Sequence, residues 1–153
     1  MLLHYLNKNR DAVVRTSEGL SDVQQRAPGV PSGTNLLGLV RHLTWVEQHW
    51  FRFVFLHEVL DFLHEVLDID DAMDAPVDAT REQIVAAYRA ACARSDEIVR
   101  ARPDLSTMSK IANPGEDDKC SLRVIMTHMI KETARHAGQA DILREQIDGV
   151  TND

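Results

Sequence analysis

A chain of 153 residues, 44% hydrophobic and 27% charged, has the composition of one globular domain over 1–153, long enough to bury a core without disulfides or a structural metal. Its formal net charge of −7 offers no basic surface and hence no counterion release, which argues against a nucleic-acid partner. The two cysteines, Cys92 and Cys120, form no spaced framework, no leader-like segment opens the chain and no apolar run reaches membrane-spanning length, so a soluble cytoplasmic protein with no membrane partner is expected.

Four long amphipathic segments separated by breakers, with no period-2 alternation between them, predict an all-α fold. The first helix is expected from about Leu2 to Glu18, with Leu3, Leu6, Arg10, Val13 and Val14 on one face and Gly19 near its end. A short helical turn capped by Ser21 or Asp22 follows, and the run from Pro28 to Gly33 then breaks the chain. The second helix begins at Thr34 or Asn35, either able to accept from the first free amides, and carries Leu36, Leu39, Val40, Leu43, Val46, Trp50 and Val54 along one stripe with His42 beside it. The third runs from about Arg81 to Arg102, opened by a Thr80/Gln83 capping box and stopped by Pro103. The fourth runs from about Ser121 to Ile147, ends at Gly149, and places Leu122, Ile125, Met129, Glu132, His136 and Leu143 in one band. Such helices pack as a four-helix bundle, whose interior can hold a metal on side chains of facing helices. The connection from Leu105 to Lys119 reads as a lid, a substrate contact or a plain solvated loop.

A tandem heptad, FLHEVLD at 55–61 and again at 62–68, keeps an apolar face in register and is expected to lengthen the second helix or cap the bundle. It is not a zincin motif, because Asp61 stands where the second histidine would be; His57 and His64 read as surface or structural. The run Trp45, Trp50, Phe51, Phe53 and Phe55 reads as packing, some of it walling a pocket beside His42.

Residues four apart on a helix share a face and are separated by about 6 Å along its axis, so Glu132 can meet one ion together with either His136 or His128. Those two histidines lie about 12 Å apart and cannot both bind it, nor can His42 and His49 at about 10 Å; spacing alone leaves His128 and His136 as alternatives. Two imidazoles and a carboxylate leave a position open for water or a thiolate, as catalytic zinc does. The plainer reading makes Glu132 and His136 an i,i+4 pair and leaves the histidines hydrogen-bonded without a metal. Cys120, just ahead of the fourth helix, is a competing candidate whose thiol the helix end would acidify.

Three segments, PSGTNLLGLVRHL at 31–43, EQHWF at 47–51 and HMIKETARHAGQADILRE at 128–145, resemble the DinB-like metalloprotein superfamily, and within it the branch related to mycothiol-dependent maleylpyruvate isomerase and mycothiol S-transferases. The resemblance implies a DinB-like four-helix bundle with a divalent metal, zinc foremost and nickel second, held by His42, Glu132 and His136, with His128 lining the pocket. It also implies mycothiol as cosubstrate and a transferase or isomerase that activates this low-molecular-weight thiol against a small electrophile. His49, His128, Arg135 and Gln139 are then the candidates for orienting substrate, although Arg135 is equally placed to face solvent. A homodimer is compatible with this reading. The alternative is a non-catalytic bundle that binds metal or a small molecule. The tandem heptad departs from the family pattern.

Overall fold

The computed structural model describes residues 1–58 and 77–151, and these are all-helical, as a DinB-like bundle requires. Helix α1 spans Leu2–Thr16, and the short α2, Asp22–Arg26, is opened by a capping box between Ser21 and Gln24. Helix α3, Leu36–Glu47, starts where the Asn35 side chain accepts from the Gly38 amide. It runs directly into a π-helical stretch, Gln48–Phe55. Helix α4, Arg81–Arg100, has the Thr80/Gln83 capping box. Helix α5, Leu122–Asp148, begins at Ser121 and closes on Gly149, whose φ of 75° is the left-handed conformation that glycine adopts without penalty.

Helix α1 packs along α5, and α3 along α4. Leu6, Phe51, Phe55, Ile98, Leu122, Ile125, Met126 and Met129 make one core cluster; Val13, Val14, Leu37, Val40, Leu43, Ile84, Tyr88, Cys92 and Ala137 make a second. Along α5, Glu132, Thr133 and His136 fall between Met129 of the first cluster and Ala137 of the second. A polar layer is thus enclosed between two apolar ones.

The helices are registered by a buried ion-pair network. Arg10, 1% exposed, donates from Nε and Nη2 to the two carboxylate oxygens of Glu47 at 2.8 and 2.6 Å, and from Nη1 to Asp96 at 2.7 Å. It ties α1, α3 and α4 at one level, and the guanidinium stays charged because the carboxylates outweigh the cost of its burial.

Two differences from the sequence expectation concern the second helix and its continuation. The segment beyond Glu47 is π-helical rather than α-helical, and it ends at Phe55, with His57 at φ 55°, so the chain leaves the helix within the described start of the first heptad, residues 55–58. The rest of the repeat, including His64, lies outside the described residues. The 101–121 connection is stitched down: Lys110 and Ile111 amides donate to Phe55 and Val54 carbonyls, Ser109 exchanges backbone and side-chain bonds with Cys120, and Met108 bridges to Ser121. No helix among the described residues is long and apolar enough to cross a membrane.

Removing one member of a buried ion pair strands its partner. Glu47→Gln is expected to lower the unfolding free energy by about 3 kcal/mol, measured by urea denaturation; a loss below about 1 kcal/mol would show that the network does not hold the three helices.

Candidate metal centre

The polar layer contains a compact donor set. His42 of α3 and Glu132 and His136 of α5 each bring one ligand atom within 4.8 Å of the others. Glu132 Oε1 lies 2.9 Å from His136 Nε2 and 3.9 Å from His42 Nε2, and the two imidazole rings meet edge to face with centroids 4.8 Å apart. Helical spacing puts Glu132 and His136 on one face, and the packing of α3 against α5 supplies His42 from across the layer.

Both ring nitrogens of His136 are engaged by side chains of its own helix: Nδ1 lies 2.7 Å from Gln139 Oε1 and Nε2 lies 2.9 Å from Glu132 Oε1. Burial pushes His42 down to about 4, with the neighbouring His136 adding to the effect, so His42 is a neutral imidazole across the physiological range. Burial alone would raise Glu132, but His136, His128 and Arg135 hold it below the usual carboxylate range, as an anion. Two imidazole nitrogens and a carboxylate oxygen are a donor set that fits a divalent ion of the zinc or nickel type.

The remaining sequence candidates are distributed around this set. Gln139 orients His136 directly. His49 is buried with Nε2–H donating to Asn113 Oδ1 at 2.7 Å, and burial lowers its pKa. His128 packs against Trp50, with ring centroids 4.5 Å apart, and lines a cleft of about 420 Å³ with Arg123, Val124, Thr127 and Lys131. Arg135 is exposed. Of the aromatic run, Trp45 stacks between His42 and His49, at centroid distances of 6.4 and 4.7 Å.

Asn113 was invisible to the sequence reading, because only the folded connection brings it to His49 across 64 positions. The Cys120 expectation is reversed: the partly buried thiol is pushed up by desolvation, an effect larger than any help from Ser109. Cys92 is likewise raised, to about 12, by burial and then by Glu47.

The family model described as Mycothiol-S-transferase matches residues 1–149. Neither the curated proteins nor the solved structures provide a match.

The depressed His42 value makes metal-free stability depend on acid. Above the ordinary value of 6.5 the imidazole is neutral folded or unfolded; as pH falls toward about 4, the unfolded chain gains a proton that the folded chain refuses. The urea midpoint of chelator-treated protein is therefore expected to be lower at about pH 5 than at about pH 7, and an unchanged or higher midpoint would contradict the neutral assignment.

Proposed function

This chain belongs to the mycothiol S-transferase family, and we propose that it is a metal-dependent transferase joining the sulfur of a low-molecular-weight thiol, mycothiol by family, to a small electrophile, with His42, Glu132 and His136 as ligands of a divalent metal. The observation that supports this reading is the trio itself, two buried histidines and a partly buried carboxylate, in which His136 Nε2 and Glu132 Oε1 meet at 2.9 Å beside a neutral His42. Zinc suits these ligands best and nickel next.

A bound divalent ion supplies Lewis acidity that lets a thiol give up its S–H proton near neutral pH. The chain's own residues do the rest. Its cysteines are unsuited to be the nucleophile, since burial raises both thiols, so the reacting sulfur comes from the cosubstrate. Sulfur forms a bond to the electrophilic carbon, and either that carbon's leaving group departs with its electron pair or the attacked double bond takes up a proton; reversal after rotation about that bond gives the isomerase variant. Gln139 holds the His136 ring through Nδ1, leaving Nε2 turned toward Glu132. Arg135 helps keep Glu132 anionic. His128, Arg123 and Lys131 line a cleft on α5 whose walls include none of the three ligands. Trp45 and Trp50 are partly buried and pack against the first core cluster.

The test is consumption of free mycothiol with monochlorobimane as electrophile, comparing native, chelator-treated and zinc-restored protein, and His136→Ala. Loss on chelation of at least about 100-fold, restored by zinc in the native chain but not in His136→Ala, is expected. A protein that holds the metal at the trio yet leaves the thiol unconsumed is the non-catalytic binding bundle.

A further inference from the structure

A metal-ligating histidine ordinarily donates its second ring N–H to a carboxylate, a carbonyl or water, which sets the ring plane. His136 follows this rule through Gln139. His42 does not: its Nδ1 is buried and has no hydrogen-bond partner among the described residues. Something other than a hydrogen bond must therefore hold that ring against rotation about its side-chain torsions.

The rings around it supply the constraint. One face of His42 meets Trp45, with planes 28° apart, and its other neighbour is the edge of His136 at 72°. Trp45 is itself held from behind by His49, stacked at 4.7 Å with planes 21° apart. The indole contributes through its face, since its buried Nε1–H also has no partner among the described residues. His49 is in turn fixed by Asn113 Oδ1 at 2.7 Å, and the Asn113 amide is oriented by its Nδ2–H donating to Glu116 Oε1 at 3.2 Å. The connection carrying Asn113 is fastened to Val54 and Phe55 by backbone bonds. An unbroken chain of contacts thus leads from the 101–121 connection to the His42 imidazole.

We propose that Trp45, clamped by the His49–Asn113 pair, is the positioning residue for His42, replacing by ring stacking the hydrogen bond that His42 lacks. Aromatic pairs at these separations have preferred relative orientations, so a fixed Trp45 ring favours one His42 ring plane. The proposal rests on the metal reading of the trio and deepens it, since it says what organises the ligand contributed by α3.

Zinc affinity, measured by competition with a chromophoric chelator, tests this without reference to turnover. Trp45→Leu keeps an apolar side chain but removes the ring and is expected to weaken zinc binding by about 10-fold or more. Trp45→Phe is expected to restore most of the loss, which a merely space-filling role would not require. Asn113→Leu leaves the core intact and removes the clamp, and is expected to weaken binding in the same direction. Unchanged affinity in folded Trp45→Leu, or failure of Phe to restore it, overturns the proposal; should Trp45→Leu fail to fold, unchanged affinity in Asn113→Leu does so. A native chain that binds no zinc instead overturns the metal reading, a separate and recognisable result.

Discussion

The bidentate pair between Arg10 and Glu47, extended to Asp96, is the constraint on which the arrangement of helices depends. A guanidinium has a fixed fork geometry, and here it is enclosed where water cannot substitute for a missing partner. It sets the level of α3 relative to α1 and α4 at Glu47, little more than one turn beyond His42. Because α1 packs along α5, this same registration brings His42 level with Glu132 and His136. Apolar burial provides most of the stabilisation, but it tolerates sliding; the ion pairs do not.

The enclosed polar layer is costly unless something neutralises it. Within α5, Glu132 and His136 occupy positions between Met129 and Ala137 that an ordinary bundle would give to leucine or alanine. Gln139 and Glu132 engage the two ring nitrogens of His136, whereas His42 Nδ1 has no partner among the described residues. Such a set is costly to bury by itself and favourable around a cation, which makes it the candidate metal site of the chain.

Much of the fold was legible because its signals are local. Asn35, Ser21, Thr80 with Gln83, and Gly149 each act on backbone groups within a few residues, so the helix boundaries could be read from them, with Asp22 and Thr34 as the neighbouring alternatives to Ser21 and Asn35. The four-residue spacing of Glu132 and His136 was equally plain, but it is mirrored by that of His128 and Glu132. Only the position of α3, together with the family resemblance, distinguishes the two histidines, and the fold leaves His128 against Trp50. The π-helical turn after Glu47, the bond from His49 to Asn113, and the partners of Arg10 depend on tertiary packing and left no local trace. The Cys120 expectation failed for the same reason: proximity to a helix start was visible, whereas the desolvation that outweighs it was not.

The most direct test is an anomalous-difference map from crystals of zinc-loaded protein, recorded at the zinc absorption edge. One strong peak about 2.0–2.2 Å from a nitrogen of His42, a nitrogen of His136 and a carboxylate oxygen of Glu132 is the predicted result. A peak on other residues with the trio empty, or no peak in crystals of protein soaked with excess zinc, would contradict it.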